Sequence, residues 1–342
     1  MPSETVVGWD IGGAHLKAVA LDSDAQLTRA LQLPCTLWRG IEHLERAMAQ
    51  ALSEMKRDAR HAVTMTGELA DCFVSRREGV AQILRVVTSL VPCARIYAKD
   101  LGFLTVEQAL RSPIQVASAS WHASATFIGR QLNEALLLDI GSTTADLTLI
   151  REGRIQALGE DDHSRLANDE LVYCGVIRTP LMAIAQRAPF CAKWVNVMAE
   201  HFATTADIYR LTGELAQGAD QSETADGREK TVEANARRLA RMIGCDFEDF
   251  GMESWLALAQ FFANEQLNRL LAACAANLSR GVTGKPVAIV GAGVGNFLAR
   301  KIAVKLDSPY RDFALFVPSA QAWNPQCAPA FAVAWLCKDS EL

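Results

Sequence analysis

The chain carries no CxxC pair and no Cys/His cluster, and its nine cysteines stand singly at Cys35, Cys72, Cys93, Cys174, Cys191, Cys245, Cys274, Cys327 and Cys337. That spacing excludes a structural zinc site of the paired-cysteine kind. It predicts buried thiols behaving as small core residues. Positive charge is also in deficit, with 34 Lys and Arg against 39 Asp and Glu and a net charge of −5. A broadly basic face for nucleic acid is therefore not expected, although a phosphate cleft can be locally positive. No cationic segment followed by an apolar one opens the chain, so a secretory signal is not expected. The longest uncharged runs, such as Pro286 to Ala299, are broken by glycine and too short for a bilayer. The expectation is a soluble, cytoplasmic protein without a membrane partner.

What is present is a repeated stretch. Val6 to Asp22 reads VVGWDIGGAHLKAVALD: an apolar run, the turn Asp10-Ile11-Gly12-Gly13-Ala14, then a second alternating run. Ala135 to Ile150 reads ALLLDIGSTTADLTLI, with the same order around Asp139-Ile140-Gly141-Ser142-Thr143. Self-similarity at about half the chain length predicts a duplicated domain, and 342 residues suffice for two substantial cores. Glycine lets successive N–H groups point into one small space, which suits phosphate oxygens. A carboxylate beside a phosphate needs a cation between them, so Asp10 and Asp139, expected to face one cleft, predict Mg²⁺ as cofactor. Lys17 adds a point charge on the first hairpin.

Along the chain, Ile41 to Met55 has helical spacing, and Ala62 to Met65 is a short strand leading into Thr66-Gly67-Glu68-Leu69. Glu68 is a candidate base, or a partner of the metal through water; the alternative is a solvated carboxylate at a helix N-terminus. Gly79 to Leu90 is a predicted helix and Ala94 to Tyr97 a strand. Gln115 to Ile128, QVASASWHASATFI, predicts one closely packed linking helix carrying His122, a candidate catalytic histidine or a structural one. Tyr173 to Pro180 is a loop in which Arg178 can fork onto a carboxylate or phosphate. Ala199 to Leu215 is predicted helical, Gln217 to Lys230 a solvated loop more readily than a substrate lid, and helices follow over Thr231 to Ile243 and Ser254 to Leu278. Pro286 to Val290 is a predicted strand, followed by Gly291-Ala292-Gly293-Val294-Gly295-Asn296 and a helix over Phe297 to Leu306. The glycine spacing fits a dinucleotide fingerprint poorly. A turn closing over a phosphate or nucleoside, with Gly291 and Gly293, fits better. Ala328 to Cys337 is a predicted apolar helix.

Two DxG hairpins, an Ala-rich connecting helix, a late Gly-rich turn and a closing apolar helix together resemble the actin, sugar-kinase and Hsp70 superfamily over nearly the whole chain. The phrases MTGELADCF, ASASWHASA, DIGSTTADL, YCGVIRTPL and FATTADIYRLTGEL resemble the hydantoinase/oxoprolinase-related family, and within it the branch serving methanofuran biosynthesis in tetrahydromethanopterin-linked one-carbon metabolism. The resemblance implies an α/β, two-domain actin-like ATPase (ribonuclease H-like) fold with a mixed five-stranded sheet in each domain. It implies domains at 1–130 and 131–324, the second with a helical insertion at about 160–280, and a C-terminal helix at 325–342 packing back on the first. It implies a Mg²⁺-dependent transferase that joins a furanylmethyl diphosphate to a glutamyl-tyramine-type phenol and releases diphosphate. On that reading Asp10 and Asp139 hold the metal, Gly12, Gly13, Gly141, Ser142 and Thr143 cradle the phosphates with Lys17, Glu68 or His122 takes the phenolic proton, and Arg178 receives a substrate carboxylate. His15 has no assigned role beyond phosphate contact. A homodimer stays open. The rivals are an ATP-dependent kinase or amide hydrolase of the same fold and a non-enzymatic nucleotide-binding sensor.

Overall fold

The computed structural model describes residues 5–55, 58–280 and 286–340. Two compact units divide the chain: Met1–Leu137 with Thr148–Arg165 and Arg311–Leu342, and Leu138–Leu147 with Leu166–Tyr310.

The first sheet comprises β1 (Val6–Ile11), β2 (His15–Leu21), β3 (Leu27–Pro34), β4 (Arg60–Met65), β5 (Arg95–Tyr97) and β6 (Phe103–Leu104), in the order β3-β2-β1-β4-β5-β6. β1 pairs antiparallel with β2 and parallel with β4, so it lies inside the sheet and all six residues are buried, as a strand covered on both faces must be. Helices Glu42–Ser53 and Arg76–Leu90 contribute Leu44, Met48, Val80 and Ile83 to the core of this sheet. The expected C-terminal helix, Ala328–Asp339, packs on β1 so closely that a Cβ at Gly8 would overlap the Ala330 carbonyl. Rings of Phe127, Phe313 and Phe331 meet beside it.

Two local readings change. The linking helix is broken into Pro113–Val116 and Ser120–Gly129, because Ser118 adopts the left-handed conformation with φ 48°. The thiols are also mixed: Cys35, Cys174, Cys274, Cys327 and Cys337 are buried and Cys245 half-buried, whereas Cys72, Cys93 and Cys191 lie exposed in turns.

The second sheet contains β7 (Glu134–Ile140), β8 (Ala145–Arg151), β9 (Arg154–Ile155) and β10 (Leu171–Val172). A separate hairpin follows, β11 (Arg187–Phe190) with β12 (Lys193–Asn196), and the sheet is completed by β13 (Ala288–Ala292) and β14 (Tyr310–Asp312). The order is β10-β8-β7-β13-β14, with β9 on β8. Each sheet thus has six strands, the two-residue ones being β6 in the first and β9 and β10 in the second. Between β10 and β13 lie helices Thr205–Leu211, Val232–Arg241 and Met252–Leu278. The first is shorter than the Ala199–Leu215 stretch expected to be helical: it starts at a Thr204/Asp207 capping box and ends before Gly213 at φ 74°.

Gln217 to Lys230 holds no helix or strand, as expected, yet it is tied down rather than merely solvated. Arg238, fully buried, donates to Asp207 at 2.8 Å and to Asp226 at 3.0 Å, while Arg210 and Lys230 both meet Asp220. No helix among the described residues is long and apolar enough to cross a membrane.

Candidate functional site

Strand register places the first set of candidate residues. Antiparallel pairing sets Lys17 opposite Asp10, and the Lys17 ammonium lies 2.8 Å from Asp10 Oδ2. The other oxygen, Oδ1, accepts from the Ser120 hydroxyl at 2.8 Å. Asp10 is therefore buried and held at both oxygens. The Gly12 amide closes the turn on the carbonyl of His15, itself a buried residue, at 3.0 Å.

Parallel pairing with β4 sets Thr64 beside Asp10 and Met65 beside Ile11, after which the Thr66 and Gly67 amides donate to the Ile11 carbonyl at 2.9 and 3.0 Å. Gly67 is needed there, since a Cβ would lie 3.1 Å from the Gly12 carbonyl carbon and 2.8 Å from Leu37. The turn carries Glu68 into the interior. This corrects the alternative of a solvated carboxylate at a helix start, because Glu68 is fully buried and the next helix begins only at Arg76.

Ser118 donates to Glu68 Oε1 at 2.8 Å, while Oε2 is buried without a hydrogen bond among the described residues. Burial raises the Glu68 pKa from 4.5 to about 7, with Asp162 pushing the same way; hydrogen bonds from its own amide and from Ser118, and the Arg76 charge, pull it down. Lys99, also in the left-handed region at φ 52°, donates from its buried ammonium to the Glu160 and Ile114 carbonyls at 2.7 and 3.4 Å. Burial lowers its pKa, against the opposing pull of Glu68 and Asp162.

His122 sits in the same unit on helix Ser120–Gly129. Its Nδ1 is 2.9 Å from the Tyr97 hydroxyl and its Nε2 is 3.3 Å from Asp100. Burial outweighs the Asp100 carboxylate and lowers the imidazole pKa to about 4. The ring is neutral near pH 7, and the network assigns it as an Nε2–H tautomer accepting from Tyr97 at Nδ1.

In the second unit, the Gly141 amide donates to the Thr144 carbonyl at 2.8 Å, the same bond across three residues that Gly12 makes to His15. The repeat is therefore real at the level of individual hydrogen bonds. The loop after β10 backs this turn: Val176 N–H donates to the Gly141 carbonyl at 3.1 Å, and Ile177 and Arg178 donate to Ser142 O at 3.1 and 2.9 Å. Gly175 makes the approach feasible, since a Cβ would overlap the Ser142 carbonyl and the Thr143 amide. Gln266, buried on helix Met252–Leu278, holds the far side of the loop through the Cys174 and Gly175 carbonyls at 3.3 and 2.9 Å. The Arg178 guanidinium reaches the Thr143 hydroxyl at 3.5 Å.

The late glycine turn also belongs here. Gly295 N–H donates to the Ile140 carbonyl at 2.8 Å, and a Cβ on Gly293, at φ 79°, would fall 2.6 Å from Asp139 Oδ1. Gly291 faces the Tyr310 ring, with its would-be Cβ 2.7 Å from the hydroxyl.

The first unit thus brings together Asp10, Gly12, Lys17 and Glu68, while Gly13 has open space beside it. The second brings together Asp139, Gly141, Ser142, Thr143, Arg178, Gly291 and Gly293. Sequence reasoning missed Ser118, Ser120, Lys99 and Gln266. The first two were visible as the hydroxyls of the ASAS run, which the Ala-rich context made look like packing alone.

Among the described residues no three His, Cys, Asp or Glu side chains gather to hold a metal unaided. Each Asp10 carboxylate oxygen keeps a lone pair beyond its present partner, Lys17 or Ser120.

Comparison with known proteins agrees with this architecture. A synthase from Methanocaldococcus jannaschii, named (4-{4-[2-(gamma-L-glutamylamino)ethyl]phenoxymethyl}furan-2-yl)methanamine synthase, is 32% identical over 270 residues, covering 78% of each chain. A protein of the same name from Methanococcus vannielii is 29% identical over 136 residues, 40% of this chain and 61% of its own. Nucleotide-free acetone carboxylase superposes with a TM-score of 0.57 at 10% identity, over 98% of this chain and 70% of that one, which is a likeness of fold. The shared fold is that of two α/β units, each built on a six-stranded sheet. The pattern of the hydantoinase/oxoprolinase family matches residues 60–334, and the chain belongs to that family.

Proposed function

We propose that the protein is a synthase in the biosynthesis of methanofuran, or of a bacterial methylofuran analogue, that supports tetrahydromethanopterin-linked one-carbon metabolism. The observation that carries this is the 32% identity to the M. jannaschii synthase across 78% of both chains. That relative's name contains a phenoxymethyl ether between a furan and a phenol bearing a glutamylaminoethyl arm. Disconnecting the ether leaves a glutamyl-tyramine-type phenol and a furanylmethyl carbon with a leaving group, here diphosphate.

In the proposed reaction the phenolic oxygen bonds to the furanylmethyl carbon while the bond from that carbon to the diphosphate oxygen breaks, its electron pair leaving with diphosphate. The furan ring spreads the developing positive charge, so catalysis chiefly stabilises the leaving group. The amides at Gly13 and Ser142, the Thr143 hydroxyl and Lys17 suit that task, while Gly12 and Gly141 hold their turns through the His15 and Thr144 carbonyls; Gly291 and Gly293 are assigned to phosphate in the second unit. Asp10 and Asp139 are the carboxylates that would hold Mg²⁺, which supplies further positive charge to the departing group. The phenolic proton passes to Glu68, whose Oε2 makes no hydrogen bond among the described residues and whose pKa lies near neutrality. His122, already engaged with Tyr97 and a weak base, is the poorer acceptor. Arg178 is assigned to the carboxylate of the glutamyl arm.

The test is incubation of the purified protein with 5-(aminomethyl)-3-furanmethanol diphosphate, γ-glutamyltyramine and Mg²⁺, followed by mass spectrometry. Ether and diphosphate should accumulate together in a one-to-one ratio without ATP. Turnover of ATP to ADP with no ether formed would replace this reading with the kinase or hydrolase one.

A further inference from the structure

Residues Ser118 to Ser120 form a turn that nothing in the reaction requires by itself, yet it holds two acidic groups of the first unit at once. Ser120 Oγ donates to Asp10 Oδ1 and Ser118 Oγ donates to Glu68 Oε1, each at 2.8 Å. The Ala119 amide between them is anchored on the Met65 carbonyl at 3.2 Å. To make this span Ser118 adopts φ 48°, a conformation that is strained for a non-glycine residue and that survives where the surroundings enforce it. The break it introduces splits what is otherwise one helical stretch.

The geometry points to Ser118 as the positioning residue for Glu68: its hydroxyl pins Oε1, leaving Oε2 as the oxygen that exchanges the phenolic proton. This rests on the proposed condensation for the identity of the proton donor, but not for the pin itself. The charged groups that act on Glu68 are Arg76 on helix Arg76–Leu90, Lys99 before β6 and Asp162 on helix Asp162–Ala167. Each is held by a partner of its own: Arg76 and Asp162 pair at 2.9 Å, and Lys99 is bound by carbonyls. Ser118 is thus the side chain whose hydrogen bond to Glu68 can be removed without removing a charge. Its bond favours the carboxylate, so losing it makes Glu68 hold its proton more strongly.

The experiment titrates Glu68 directly, by carbon NMR of protein labelled at the glutamate carboxyls, with the Glu68 signal identified by its absence in E68Q. S118A removes the hydroxyl and keeps the strained backbone; S118G removes the hydroxyl and relieves the strain. Both should move the Glu68 midpoint upward by about one pH unit, the size expected for one hydrogen bond to a charged group. S124A, which truncates a buried serine on the following helix, should leave it in place. The acidic limb of the pH–rate profile should follow the midpoint in both Ser118 variants. An unmoved midpoint in S118A and S118G overturns the proposal. A movement in S118A alone also overturns it, because the backbone rather than the hydroxyl would then be responsible. If the wild type makes no ether while the midpoint still moves, the condensation reading fails and the pin stands.

Discussion

Glu68 is a carboxyl group that folding makes a stronger proton holder, and that has a thermodynamic consequence separable from catalysis. Its pKa rises from 4.5 to about 7, so between those values the folded state binds a proton that the unfolded state has released. The stabilisation is therefore fully present below pH 4.5 and is lost as pH rises through 7. The displacement corresponds to about 3 kcal/mol at most. Replacing Glu68 by Gln removes this dependence. The stability of E68Q relative to wild type, from urea unfolding, is expected to improve between pH 5 and pH 8.5 by up to about 3 kcal/mol. At the same time ether formation should fall roughly 100-fold or more, as for the loss of a general base. A parallel pH dependence of the two proteins would show that Glu68 ionises freely in the fold. Neither the depth of Glu68 nor its serine partner could be read locally, because burial arises from β4, helix Arg76–Leu90 and the 118–120 turn, which are distant in sequence.

At the scale of elements, what the sequence revealed depended on whether the local chemistry matched the local geometry. The two hairpins were legible because apolar alternation flanks glycine turns, and the matching Gly12–His15 and Gly141–Thr144 bonds bear that out. The β11–β12 hairpin escaped notice because its turn is Cys191-Ala192, held at φ 46° and 61° without the glycine or asparagine that signals such turns. β3 escaped because its pairing with β2 carries a register shift at Ala20/Leu21 and its outer residues are polar. Tyr173 to Pro180 reads as a loop from its sequence, but its contact with the 141–144 turn is long-range and rests on Gly175. G175A should push the loop off Ser142, costing about 1–3 kcal/mol by overpacking. It should also weaken diphosphate binding more than the stability loss explains. Calorimetric titration with Mg-diphosphate, at a temperature where the variant remains folded, reads that difference; unchanged affinity would mean that the loop does not shape the turn.

For the whole molecule, the duplicated acidic hairpin is the feature with the widest consequence. One copy lies in the unit containing Met1–Leu137, and the acidic turn of the other, Asp139 to Thr144, lies in the unit containing Leu138–Leu147 and Leu166–Tyr310. A ligand-linked stability measurement reads both copies with one observable. A compound that binds the folded chain at a hundred times its Kd stabilises it by about 2.7 kcal/mol, enough to raise Tm by a few degrees in a protein of this size. Mg-diphosphate is expected to give such a rise and Mg-ATP a smaller one, because the proposed reaction binds a diphosphate leaving group and spends no nucleotide. D10N and D139N should each remove the Mg-dependent part of the rise. D10N has a second effect to separate, since it removes the ion pair between Asp10 and Lys17. The Tm of each variant without ligand is therefore the baseline from which its shift is taken. A full Mg-dependent rise in either variant would show that the substituted carboxylate takes no part in holding the ion, and a larger response to Mg-ATP than to Mg-diphosphate would favour the nucleotide-using readings of this fold.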